Sequence, residues 1–130
     1  MKLDIVFELN QRLAGLQNRV IQYRQMAEDA KTTNWQQQIR GTSQTSRTEW
    51  LTALIVDNEK KLSDTLKEKE EAIRKLTLKF DSADVPEVVR TIFFLRYVNC
   101  EQWKIIARAV GYSETRCYQL HDQWKGKMAE

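Results

Sequence analysis

From Val6 onward the apolar residues fall at Leu9, Leu13, Leu16, Val20, Tyr23, Ala27 and Ala30. Steps that alternate three and four are the a/d pattern of a helix seeking a partner helix. Gly15 weakens the interior only mildly. After Ala30 the pattern dissolves into a polar stretch, residues 31–48, which reads as a long connection; its Trp35 is expected to pack on a neighbour. A second pattern opens at Ser46-Arg47-Thr48-Glu49, where a hydroxyl and a Glu three positions on can satisfy each other's exposed backbone donors. Trp50, Leu51, Leu54, Ile55, Leu62, Leu66, Ile73, Leu76 and Phe80 supply its apolar side. Six of these, Ile55, Leu62, Leu66, Ile73, Leu76 and Phe80, fit one heptad frame, with Glu59 and Lys69 as polar interruptions. The two helices predict an antiparallel, coiled-coil-like hairpin over residues 1–80. One apolar face on each buries little, so the seams predict a further partner. That partner is either the C-terminal part or a second copy, giving a homodimer or higher homo-oligomer.

The clearest break is Asp81-Ser82-Ala83-Asp84-Val85-Pro86, with turn-favouring acids ahead of a proline suited to the first turn of a new helix. It sets the expected domain boundary, with a second domain over 85–130. Three short helical patterns follow: Pro86 to about Tyr97, about Glu101 to Val110, and Ser113 to about Met128. In the second, Trp103, Ile106, Ala107 and Val110 form one inward face. Gly111 stands where the chain must turn with positive φ. Ser113 then caps a helix whose inward stripe is Cys117, Leu120, Trp124 and Met128. Short helix, Gly-containing turn and longer helix make the helix-turn-helix plan. The fold class expected is all-α: a long helical hairpin followed by a compact trihelical domain.

On the last helix, 100° per residue sets Thr115, Gln119 and Asp122 opposite the core stripe, with Arg116, Tyr118 and Gln123 beside them. Such a face suits a DNA major groove. Gln119 could contact adenine, Arg116 guanine or phosphate, and Thr115 a thymine methyl. Base reading is therefore assigned to Thr115, Arg116, Tyr118, Gln119 and Asp122. Phosphate contact is assigned to Lys104, Arg108, Ser113, Lys125 and Lys127, which set register rather than sequence. Glu114 and Asp122 oppose phosphate approach, so the expected intrinsic affinity is weak.

Charge sharpens this picture. The 130 residues carry 21 Lys+Arg against 18 Asp+Glu, a net +3. Residues 1–80 hold 14 basic and 11 acidic side chains, while 81–130 hold 7 of each. All of the excess thus lies outside the segment that resembles a reading head, and the basic 31–48 stretch is a candidate arm along DNA phosphates. One His and no Gly-rich loop leave no nucleophile–base, metal or phosphate-loop constellation, so no enzyme, cofactor or metal is expected. Cys100 and Cys117 are not a CxxC pair and read as reduced cytosolic thiols. His121, at the edge of the core stripe, reads as a packed imidazole. No run of 18 apolar residues exists for a membrane span, and Met1-Lys2-Leu3-Asp4 does not open a signal peptide. The expected location is the cytoplasm.

Phe94-Leu95-Arg96-Tyr97, Trp103-Lys104-Ile105-Ile106-Ala107, Gly111-Tyr112-Ser113 and Tyr118-Gln119-Leu120-His121 together resemble the C-terminal DNA-reading region of sigma factors, region 4. The resemblance is greatest to the sigma-like late transcription regulators of phages of Gram-positive bacteria, the ArpU/RinA group. It covers Val88 to Met128, about a third of the chain. Cys117 stands where that group usually has a β-branched residue, and Gln119 where a basic residue is common. The resemblance implies a transcription activator that binds double-stranded DNA upstream of a late or packaging promoter and helps host RNA polymerase in the bacterial host cytoplasm. No promoter-melting region accompanies it. Two other readings compete. One is a phage small terminase subunit, which usually carries its helix-turn-helix first. The other is a helical adaptor that binds polymerase without touching DNA.

Overall fold

A computed structural model of the chain describes residues 2–32 and 43–130, with side chains described over 2–29 and 47–130. It is all-helical, and no strand occurs among the described residues. Helix α1 is Ile5–Thr32 and α2 is Ser43–Ser82. Helix α3, Glu87–Phe93, continues as one π-helical turn over Phe94–Val98. Helices α4, Trp103–Val110, and α5, Glu114–Ala129, complete the order. The described helices start and stop elsewhere than the 31–48 connection requires: α1 runs on to Thr32 and α2 already begins at Ser43. Ser46 therefore lies inside α2 and is not its cap. Residues 33–42, including Trp35, lie outside the described residues.

The chain divides into two compact units, residues 1–10 with 68–130, and residues 11–67. In the first, Leu3, Val6, Leu76 and Phe80 share one core with Val89, Ile92, Phe93, Tyr97, Val98, Ile106, Ala107, Cys117, Leu120 and Met128. Phe80 meets Phe93 edge to face at 6.0 Å between centroids and Tyr97 at 6.5 Å. Each such fully buried side chain stabilises the fold by about 1.5–3 kcal/mol relative to exposure. The unit boundary therefore does not fall at Asp81–Pro86. That break is a helix end, and the last turns of α2 belong to the same core as α3 to α5. Arg90 fastens it: Nε donates to the Phe80 carbonyl at 3.1 Å and Nη2 to that of Ala83 at 2.8 Å. Here the chain leaves the helix, and among the described residues these carbonyls otherwise accept only the turn contacts of Ala83 N–H at 3.4 Å and Val85 N–H at 3.1 Å respectively. Pro86 sits at the N-cap of α3, one position before the first turn.

In the second unit Leu13, Leu16 and Val20 of α1 are buried, as the a/d pattern predicts. On α2 the buried positions are Leu51, Asn58 and Thr65, spaced by heptads. Leu66 is 48% exposed and Trp50 56%, so neither joins the stripe expected of them. The two polar residues tolerate burial by bonding backward within their helix. Asn58 Nδ2 donates to the Leu54 carbonyl at 2.8 Å, and Thr65 Oγ1 to that of Lys61 at 2.7 Å. Arg24 of α1 and Glu59 of α2 form an ion pair within this unit.

Candidate nucleic-acid interface

Two left-handed residues punctuate the C-terminal helices. After the π turn, Glu101 N–H reaches back to the Leu95 carbonyl at 2.9 Å and Cys100 takes φ 55°. After α4, Gly111 takes φ 75°, and the N–H groups of Gly111 and Tyr112 both donate to the Ala107 carbonyl, at 2.9 and 3.1 Å. Glycine adopts this conformation without steric cost. Ser113, extended at ψ 157°, then accepts the Arg116 N–H at 3.1 Å and caps α5. Turn and cap together fix where α5 begins and which way it points.

Helix α5 is two-sided. Cys117, Leu120, His121 and Met128 are buried, with Trp124 partly so. Ile106 and Ala107 of α4 belong to the same core, and Trp103 and Val110 pack against it. Thr115, Arg116, Tyr118, Gln119 and Asp122 are all exposed on the reverse. Arg116 Nη1 donates to Gln119 Oε1 at 3.4 Å, a contact that engages the amide oxygen and not the amide nitrogen, which is a donor. The Tyr118 ring rests on Trp103 at 4.7 Å between centroids, so only part of it is open to a ligand. Lys104, Arg108 and Lys125 are exposed around this face, as are Glu114 and Asp122. The hydroxyl of Ser113 is committed as an acceptor in the cap and retains only its own O–H to donate.

Lys127 is placed apart from the others. Its ammonium donates to the Asp84 carbonyl at 2.7 Å and lies over the Trp124 ring at 5.6 Å. It ties α5 to the turn before α3, so its ammonium is engaged at that junction. Helical periodicity alone shows the direction of Lys127 but not the carbonyl that captures it.

The sequence reading missed a polar chain that ends at this face. His121 stacks on Phe93 at 5.0 Å and on Tyr97 at 5.7 Å, with Trp103 edge-on at 5.1 Å. Its Nε2 is hydrogen-bonded to the Tyr97 hydroxyl, and its Nδ1 lies 3.2 Å from Asp122 Oδ1. A carboxylate only accepts, so Nδ1 carries the proton, Nε2 accepts, and Tyr97 donates its O–H. Burial pushes the His121 pKa below its ordinary value, against the raising influence of the Asp122 contact. Arg96 is likewise enclosed: its guanidinium stacks on Phe7 at 4.9 Å and Trp103 at 5.0 Å, and donates to the Glu101 carbonyl at 3.0 Å. The signal available beforehand was the Arg96-Tyr97 pair itself, apolar in setting yet polar in type.

No group of three or more His, Cys, Asp or Glu side chains suited to a metal occurs among the described residues. No helix of the structure is long and apolar enough to cross a membrane, among the described residues. Comparison with protein-family models, with curated proteins and with solved structures finds no match to this chain.

Proposed function

We propose that the chain is a sequence-specific DNA-binding transcription regulator, with α4, the Gly111–Ser113 turn and α5 acting as a helix-turn-helix. The observation that carries this is the two-sidedness of α5. Its inner stripe is spent on the core, while Thr115, Arg116 and Gln119 stand exposed at its N-terminal half, the part of a recognition helix that meets base edges. Arg116 and the Gln119 amide then present N–H donors to the acceptor-rich edges of purines. Asp122 accepts from a cytosine amino group or repels other bases. Lys104, Arg108 and Lys125 contact phosphates, and Lys127 does not, because its ammonium is held by Asp84. The even charge balance of 81–130 makes one reading head weak. By resemblance to the phage late regulators, the regulator activates late or packaging genes beside host RNA polymerase, in the bacterial cytoplasm.

A second reading, the adaptor that meets polymerase without DNA, draws on Ile105 and Tyr112. Both are large, exposed apolar side chains on and just after α4. One experiment separates the two. Duplexes enriched from a random pool by the full chain are titrated with salt beside scrambled duplexes. The DNA reading expects affinity that falls linearly with salt on logarithmic axes, and a preference on the order of a thousandfold for the enriched sequence. Absence of any salt-sensitive binding overturns it and leaves the adaptor.

A further inference from the structure

The second unit carries a face that its own core does not use. On α2, the stripe Leu51, Asn58 and Thr65 is buried. Turning 100° per residue, Glu49, Ala53, Val56 and Lys60 form a line on the opposite side. Val56 is 60% exposed. Ala53, Val56 and Thr52 lie along the floor of an open depression, with Glu49 toward one end and Lys60 toward the other. Among the described residues neither of these two charges has an ion-pair partner, whereas Asp57 pairs with Lys61 of its own helix at 3.1 Å.

The order along the line is acid, small apolar, apolar, base. Glu49 and Lys60 are equidistant from the midpoint between Ala53 and Val56. We propose that this face binds the same face of a second copy, antiparallel, about a two-fold axis through that midpoint. The axis sets Ala53 against the partner's Val56 and Glu49 against the partner's Lys60. Each of these pairings occurs twice, as a self-complementary interface requires. A parallel second copy would instead align Glu49 with its own equivalent, and a helix of one charge sign would satisfy only one end of the groove. The line from Glu49 to Lys60 spans about three turns, of which only Ala53 to Val56, about one turn, is apolar, so the face falls well short of the roughly 800 Å² per partner of a stable interface. Dimerisation is therefore reversible and depends on concentration. It involves no residue of α5.

Sedimentation of the full chain over a wide concentration range tests this. Wild type should pass from monomer to dimer. Glu49→Lys and Lys60→Glu should each weaken the dimer about tenfold or more, because each creates two like-charge contacts. The double variant E49K/K60E should restore it. Val56→Glu, which buries a carboxylate at the axis, should abolish it while the helical circular dichroism of the monomer is retained. A monomer at every concentration, a dimer indifferent to the single reversals or to Val56→Glu, a double variant as weak as the singles, or assemblies of eight or more copies would overturn the proposal.

Discussion

The hydroxyl of Tyr97, on the π turn after α3, donates to Nε2 of His121, on α5, inside the core of the first unit. Burial favours the neutral imidazole, and in that form its proton sits on Nδ1, facing the Asp122 carboxylate, while Nε2 accepts from Tyr97. A buried residue thus holds an exposed carboxylate on the outer face of α5. Removing the hydroxyl in Tyr97→Phe leaves a buried acceptor without its donor. Chemical denaturation should show a loss of about 1–3 kcal/mol.

The same imidazole makes stability depend on pH. Burial lowers its folded pKa below the ordinary 6.5, against the pull of Asp122, while Lys125 and Arg96 lower it further. Between the two values the unfolded chain binds more protons, so stability is full above about 6.5 and falls as pH drops toward the folded value. Urea unfolding between pH 7.5 and 5 should show this fall in wild type and a smaller one in His121→Gln. An unchanged slope in the variant would contradict the neutral, buried state of His121.

The two left-handed residues of the first unit are not equivalent. Gly111 occupies φ 75° freely, and a Cβ there would meet nothing within 4 Å. Gly111→Ala should therefore cost only the conformational penalty, about 1–2 kcal/mol. Cys100 pays a similar penalty at φ 55°. It recovers part through the Asn10 Nδ2 donor 3.5 Å from its sulfur and through its half-buried packing. Cys100→Gly should be neutral to about 1 kcal/mol stabilising, and Cys100→Val destabilising, as thermal unfolding will show.

Asn58 and Thr65 occupy heptad positions where an apolar side chain would bury more. Thr65→Val keeps the shape and should raise stability slightly. Asn58→Leu should raise it by about 1 kcal/mol while broadening the distribution of assembly states, since a buried polar residue in a helical seam restricts register. A melting temperature that falls in both variants would show that their back-bonds are worth more than the burial they displace.

The basic side chains around α5 should separate by geometry. Lys104→Ala, Arg108→Ala and Lys125→Ala should each lower DNA affinity for all sequences and reduce the salt slope by about one. Lys127→Ala should leave that slope unchanged and instead loosen the junction with Asp84. A full phosphate effect at Lys127 would place its ammonium elsewhere than on that carbonyl.

The helices were legible where periodicity and punctuation coincide. Gly111 and Ser113 mark the turn and cap by their chemistry, and Leu9 to Val20 trace a seam by spacing alone. The buried side of α2 was not legible, because Leu66 and Thr65 both continue a three–four pattern from Leu62. Only packing chooses between them, and Thr65 is acceptable because its hydroxyl finds the Lys61 carbonyl. The unit boundary was hidden for a related reason: Phe80 precedes a strong break in sequence yet inserts beside Phe93 in space. At the candidate interface, many of the residues that carry the resemblance turn out to build or brace the core of the first unit. Arg96 is stacked between rings, Tyr97 and His121 are paired, Ile106 and Ala107 are buried, and Gly111 and Ser113 shape the turn. Of the exposed residues that would read bases, Thr115 and Arg116 lie outside those motifs, and Gln119 lies within them only as a departure from the usual basic residue. Exposure constrains residue type far less than packing does.

The most direct test of the base-reading role of α5 is selection from a random duplex pool, run in parallel with wild type and with the Arg116→Ala/Gln119→Ala double variant. Both should remain folded and bind DNA with salt-sensitive affinity. The wild type should enrich a defined sequence, and the variant should lose preference by about tenfold or more at the contacted base pairs. An undiminished preference in the double variant would contradict that role.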